Sequence, residues 1–310
     1  MTFAIETRGL TRYFGDFCAV QAVDLKVEKG CLYGFLGPNG AGKSTTIKML
    51  TGILKPTEGA AQLLDLNPWD QDQAIEIKKR TGVVPEDLAL FDNLTASEYL
   101  AFVGQMYSMD RQTIESRSEE LIKLLKLENA GSKLSVEFSH GMKKKLALAA
   151  ALLPNPDLLF LDEPFEGVDA VTARVIRDLL ANFVGRGSTV FVTSHVLEIV
   201  ERICTHVGVI ANGQLVEQAS LAELRKDKTL EKTFLELVGE TDEQITNVSW
   251  LDSGANSKTA SDDDSDPFTS DDKSNENSDD PITNSLPNQS ECSRSSDSGD
   301  DSSTLPERGK

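Results

Sequence analysis

Along residues 3–238, short apolar runs alternate with stretches in which apolar positions recur every three to four residues. These are the spacings of strands and of helices. Residues 3–10 predict a strand, Arg12-Tyr13-Phe14-Gly15 interrupts, and a second strand follows around Cys18–Val27, so the chain opens on a small antiparallel sheet. Cys31-Leu32-Tyr33-Gly34-Phe35-Leu36 reads as a buried strand, and Thr46–Leu50 as the first turns of a helix. After the turn residues Lys55-Pro56-Thr57-Glu58-Gly59 come a strand at Ala60–Leu64, a helix over 72–80 and a strand at Thr81–Glu86. Helical spacing returns at Thr95–Met106 and Ile114–Leu127, making 86–135 a helical insert between two parts of an α/β sheet. Counted through the strong helix Lys143–Leu153, the insert reaches about 155. Buried strands follow at Asp157–Pro164 and Ser188–His195, with a helix from Val171 to Val184 between them. Helix 196–204, strand 206–211, an Asn212-Gly213 turn, strand 214–217 and helices through Val238 complete the folded part.

Beyond 239 this patterning stops. Residues 240–310 are rich in Ser, Asp and Asn, with 18 acids against 5 bases, a net of −13 out of −19 for the 310-residue chain. Such a segment buries too little apolar surface to offset its chain entropy and is expected to be a disordered acidic tail. Its Ser261-Asp262-Asp263-Asp264 run suits a basic partner, a cation or phosphorylation, but a merely solvated tail is the simpler expectation than any one of these. Residues 1–239 carry a net of −6, which offers no electrostatic case for nucleic-acid binding, so no nucleic-acid partner is expected. Cys18, Cys31, Cys204 and Cys292 show no metal or redox spacing; the first three read as reduced core residues, in keeping with a cytosolic protein. The longest apolar run, Leu146–Leu153, ends at Pro154, well short of the roughly 18 residues of a membrane span. The opening MTFAIETRGL is no signal peptide. Any membrane part is therefore expected on another chain.

The densest chemical signal is GPNGAGKST, Gly37–Thr45, between a predicted strand and a predicted helix. That context gives a P-loop structural meaning. Gly37, Gly40 and Gly42 allow the backbone to turn its N–H groups toward phosphate, and the helix beginning near Gly42 adds its positive end. Around them, Pro38, Asn39, Ala41 and Thr45 complete the cradle. Lys43 is placed to reach the β- and γ-phosphates, and the Ser44 hydroxyl to ligate Mg²⁺. Phe14 is the first candidate to stack on an adenine ring, and Tyr13 the second; the alternative is an aromatic packed in a small β core. Asp157–Pro164 is an apolar strand ending in two acids, where Asp162 would hold Mg²⁺ and Glu163 would polarise an attacking water. His195 closes a parallel strand where a γ-phosphate contact is available, and Ser139 is placed to cap the helix that follows it.

With these motifs in place, the chain resembles the nucleotide-binding subunit of an ABC transporter over about residues 3–238. GPNGAGKST stands as Walker A, FSHGM as the signature, LLFLDEP as Walker B, Val168-Asp169 as the D-loop and Thr193-Ser194-His195 as the switch histidine. The Q-loop position carries Glu86 where the family usually has Gln; this keeps an oxygen for Mg²⁺ and adds a charge. In FSHGM, Ser139 and Gly141 match the family's LSGGQ, while His140 and Met142 do not. These departures, with the lysines after Met142, look like exporter ATPases that serve a separate type-2 permease. The resemblance implies the ABC ATPase fold: an α/β P-loop NTPase core with a small antiparallel β subdomain and a helical insert. It places an ATP-binding domain at 1–239 and the tail at 240–310.

The resemblance also implies ATP and Mg²⁺ as cofactors and a head-to-tail dimer with a second ATP-binding subunit, identical or not. Ser139 and Gly141 would then meet the γ-phosphate on the partner's P-loop, closure would act on a separate transmembrane permease through residues 86–110, and the chain would sit on the cytoplasmic face of the cell membrane. The competing expectation is a soluble ABC ATPase of DNA repair or translation. Against it stand the single P-loop and the roughly 90 residues between Thr45 and Phe138, which hold no long heptads. A decayed ATPase serving as a binding module is opposed by intact Lys43, Ser44, Asp162, Glu163 and His195.

Overall fold

A computed structural model describes residues 2–225 and 230–238. The chain opens with β1 (Phe3–Phe14), β2 (Phe17–Val23) and β3 (Lys26–Glu28). β1 pairs antiparallel with β2, with β3 and with β5 (Glu58–Leu63). The single strand expected over 18–27 is two strands. The Thr7 hydroxyl donates to the Val23 carbonyl and accepts from the Leu25 N–H, and the Asp24 carboxylate accepts from the Gly9 N–H, so side chains replace the ladder at 24–25. β5 begins two residues earlier than expected, inside the anticipated turn.

The second sheet runs in the order β10-β9-β4-β8-β7-β6. It comprises β4 (Leu32–Leu36), β6 (Thr81–Val84), β7 (Leu158–Asp162), β8 (Thr189–Ser194), β9 (His206–Ala211) and β10 (Gln214–Ser220). All neighbours are parallel except the edge pair β9–β10. β6 stops before Pro85, which has no N–H to give a ladder. The inner strands are buried on both faces, as parallel strands covered by other layers must be. Tyr33, Phe35, Phe160 and Phe191 point to one face, where they meet the first sheet, α1 (Lys43–Leu50) and α2 (Gln71–Arg80). Phe191 is the hub, with ring centroids 5.3 Å from Phe35 and 5.6 Å from both Tyr33 and Phe160. Leu32, Leu36, Leu159, Leu161, Val190 and Val192 point to the other face.

That second face is covered by α3 (Ala96–Met106), α4 (Arg111–Leu124), α5 (His140–Leu152), α6 (Ala170–Gly185) and α7 (Leu197–Ile203), with α8 (Leu221–Leu224) and α9 (Leu230–Val238) closing the described part. The insert helices form as the periodicity predicts. Thr95 and Glu98 build a capping box at the head of α3, and Asp110 caps α4. The Thr95 N–H and then the Thr95 hydroxyl, both donating to the Glu98 carboxylate, hold its pKa below the ordinary range. α5 starts three residues before the expected Lys143, because the Ser139 hydroxyl accepts from the Met142 N–H. Cys18, Cys31 and Cys204 are free thiols, and burial pushes Cys31 up to about 12. The 239/240 boundary, the acidic tail and Cys292 lie outside the described residues. Among those residues no helix is long and apolar enough to cross a membrane.

The end of α5 packs directly on β6, where a Cβ on Gly82 would overlap the Ala151 carbonyl. Gly82→Ala is expected to destabilise the fold by about 1–3 kcal/mol, lowering the melting temperature by roughly 3–10 °C in a thermal circular-dichroism scan.

Candidate functional site

The parallel order β4-β8-β7 sets three carboxyl-terminal strand ends side by side. From β4 the chain enters the loop 37–42 and then α1. Gly40 (φ 80°) and Gly42 (φ 105°) take the left-handed backbone that favours glycine. Gly37 is needed for space instead: a Cβ there would overlap the Ile210 carbonyl on β9. Gly42 precedes α1 with no side-chain cap, which leaves the first N–H groups of the helix for an anion. Lys43 is buried, and its Nζ donates to the carbonyls of Gly37 (2.8 Å) and Pro38 (3.3 Å), folding the lysine over its own loop. The Ala41 carbonyl accepts from the Gly213 N–H at 3.0 Å, so the Asn212-Gly213 turn braces the loop from behind.

β7 delivers Asp162 opposite Thr193 of β8. The buried Thr193 hydroxyl donates to Asp162 Oδ1 at 2.5 Å and accepts the Glu163 N–H at 3.1 Å. Glu163 is itself left-handed (φ 47°), a conformation a non-glycine residue keeps only when its surroundings hold it there. Its carboxylate is buried. Oε2 lies 3.0 Å from His195 Nδ1; Oε1 lies 3.6 Å from Lys43 Nζ and accepts no hydrogen bond from a described residue. Lys43, Glu163 and His195, taken from three separate motifs, therefore converge.

In front of them lies a cleft of about 370 Å³ lined by Phe14, Phe17, Asn39, Lys43, Thr45 and Glu86, among others. The Ser44 hydroxyl donates to Glu86 Oε2 at 3.3 Å. Hydroxyl and carboxylate oxygens suit a hard divalent cation; Ser44 and Glu86 line the cleft, while Asp162 does not and ends β7 against Thr193. Among the described residues no group of three or more His, Cys, Asp or Glu side chains could hold a metal. A cation here would complete its shell with phosphate oxygens and water.

Phe14 lines the cleft and carries the Arg12 guanidinium 4.7 Å over its ring. Tyr13 does not line it, and Phe17, which sequence reasoning passed over, does. The sequence carries a signal for Phe17: Phe14-Gly15-Asp16-Phe17 is a two-residue hairpin whose flanking positions pair across the strands. Ser139 and Gly141 are at the head of α5 and do not line the cleft. His140 packs its ring on the loop after β7; a Cβ on Gly167 would fall 2.9 Å from His140 Cδ2.

The ABC transporter family profile matches residues 20–166. Bacitracin transport ATP-binding protein BcrA of Bacillus licheniformis is 36% identical over 227 residues, covering 73% of this chain and 72% of that protein. The chain belongs to the family of ABC transporter ATP-binding subunits. The probable multidrug ABC transporter ATP-binding protein YbhF of Escherichia coli is 34% identical over 251 residues; the chain spans only 43% of its length. Daunorubicin/doxorubicin resistance ATP-binding protein DrrA of Streptomyces peucetius is 34% identical, covering 72% of this chain and 67% of that one. Among solved structures, an ATP-binding subunit of an ABC transporter superposes with a TM-score of 0.71 at 27% identity, covering 76% of this chain and 99% of that one. The cassette MJ0796, a dimer in a post-hydrolysis state with ADP and Pi, does so with a TM-score of 0.65 at 25% identity, covering 70% and 98%. The ABC ATPase subunit fold expected from the motifs is thereby established.

Removing the ring at Phe14 is expected to weaken ATP binding about tenfold, the worth of one base-stacking contact, while Tyr13→Ala stays within about twofold. Isothermal calorimetry with the two variants decides between the aromatics.

Proposed function

We propose that this ABC subunit binds and hydrolyses ATP to drive a separate membrane permease, most simply that of an exporter. The observation that carries the reading is the convergence of Lys43, Glu163 and His195 at the ends of β4, β7 and β8. In this reading the amides of Gly37–Thr45 and the Lys43 ammonium hold the β- and γ-phosphates, and Phe14 stacks on the base. Glu163, aimed by His195, polarises the attacking water. Mg²⁺, held by Ser44, Glu86 and Asp162, would neutralise phosphate charge when bound. One chain does not complete the site, because Ser139 and Gly141 sit outside its own cleft. They meet the γ-phosphate bound by a second subunit arranged head to tail, so ATP joins two copies or two related chains.

The relatives' names speak of multidrug transport, bacitracin transport and drug resistance, which favours transport over translation or DNA repair. The permease would dock on a second cleft of about 370 Å³, where Ile53, Pro85, Leu88, Tyr99 and Val103 meet α5. Exposed Ile53, Phe91 and Met106 are placed to offer an apolar surface to a membrane protein's cytoplasmic segment. On this reading the chain works at the cytoplasmic face of the membrane, and no nucleic acid is involved.

Glu163→Gln keeps the size of the side chain but not its basicity. It is expected to bind ATP normally, to lose at least about 99% of turnover, and to accumulate as an ATP-bound dimer in size-exclusion chromatography; parental turnover refutes the water-polarising role. Lys43→Ala is expected to raise the ATP dissociation constant at least about tenfold, and equal affinity by calorimetry refutes the phosphate assignment.

A further inference from the structure

Lys144 lies in the lysine run after the signature, yet unlike an ordinary surface lysine it is only 3% exposed. A buried ammonium is costly unless fully bonded. Its Nζ donates to two backbone carbonyls, Glu163 at 2.7 Å and Glu166 at 2.6 Å. Burial pulls its pKa below the ordinary lysine value, against the opposing field of Glu166, Glu163, Glu86 and Asp162.

Glu163 is held on its N–H side as well. The Glu163 N–H is bound by Thr193 of β8 and its carbonyl by Lys144 of α5, with the Glu166 N–H as a longer third partner at 3.3 Å. Buried side chains from two different elements thus grip the backbone of a residue in the left-handed region. His140, four residues before Lys144 and so on the same face of α5, adds its ring against Gly167.

We infer that Lys144 is a positioning residue for Glu163: it ties the signature helix to the backbone that aims the carboxylate beside its own chain's P-loop. The inference rests on the reading of Glu163 as the water-polarising group. Without the ammonium, the Glu163–Glu166 segment keeps a single long main-chain bond across its turn, and the carboxylate loses its fixed height over Lys43. A displacement of about 1 Å at such a group is enough to cost up to a hundredfold in rate.

The test uses the purified full-length chain and its Lys144→Met and Lys144→Gln variants. ATP turnover, ATP affinity and hydrogen–deuterium exchange are measured on each. Lys144→Met is expected to lower kcat about ten- to a hundredfold with KM for ATP within about twofold. Exchange should rise in the segment 165–169, which carries the Glu166 N–H, and stay level in the P-loop segment. Lys144→Gln, which restores one donor, should recover part of both effects, and it carries the comparison if the Met variant does not fold. Unchanged kcat, or unchanged exchange at 165–169, overturns the inference. So does a loss shared by KM and kcat with exchange rising throughout the chain, since that marks general support of the fold. If the parent chain hydrolyses no ATP, the ATPase reading falls by itself, and the exchange data still decide whether Lys144 holds the loop.

Discussion

The register between β7 and β8 is the constraint on which the site depends. Asp162 faces Thr193 across that pair, and one hydroxyl both orients the Asp162 carboxylate and fixes the Glu163 amide. A slip of one residue would exchange every inward and outward side chain. Here such a slip would turn Phe191 away from Tyr33, Phe35 and Phe160 and drive Val190 and Val192 into the aromatic layer. Because both faces are buried, the core penalises every wrong register. The precision of the polar groups at the strand ends is thus maintained by apolar packing some residues away.

The antiparallel sheet serves the site in two ways. It carries Phe14 and Phe17 to the mouth of the cleft, and it braces the P-loop. A Cβ on Gly42 would fall 2.6 Å from the Ala19 carbonyl, and the Gly213 carbonyl accepts from Gln21 while the Gly213 N–H donates to Ala41. The curl of the loop is therefore set as much by the β2 backbone and the β9–β10 turn as by its own glycines. Gly37, whose φ is not in the left-handed region, is held to glycine by packing instead, since a Cβ there would overlap the Ile210 carbonyl of β9.

What was legible in the sequence was chemistry whose partners are near in the chain or fixed by strand order. The P-loop, the two acids after an apolar strand and the closing histidine all stand at strand ends, and a parallel α/β sheet gathers its strand ends at one edge. The Ser139 cap was legible for the same local reason. The break at Asp24-Leu25 was not, because it comes from Thr7, 18 residues before Leu25 in sequence. Phe17 is legible only as the hairpin partner of Phe14, because nothing next to it in the chain marks it. Lys144 was hidden because its partners are main-chain carbonyls 19 and 22 residues away, which no side-chain pattern announces.

The same buried groups explain why this edge of the sheet is not built for stability. Lys43, Lys144, Asp162 and Glu163 are all nearly excluded from solvent. Desolvating such groups costs several kcal/mol each, and mutual attraction seldom does more than offset it. The Lys43–Glu163 contact, at 3.6 Å and without a hydrogen bond to Oε1, is weaker than an optimised pair would be. Carbonyls of the loops, not carboxylates, accept from both lysines. An arrangement selected for stability alone would fill these positions with apolar side chains. Bonding the ammonium groups to the backbone holds loop geometry and leaves Glu163 Oε1 without a hydrogen-bond donor, which is what the proposed water-polarising role would need.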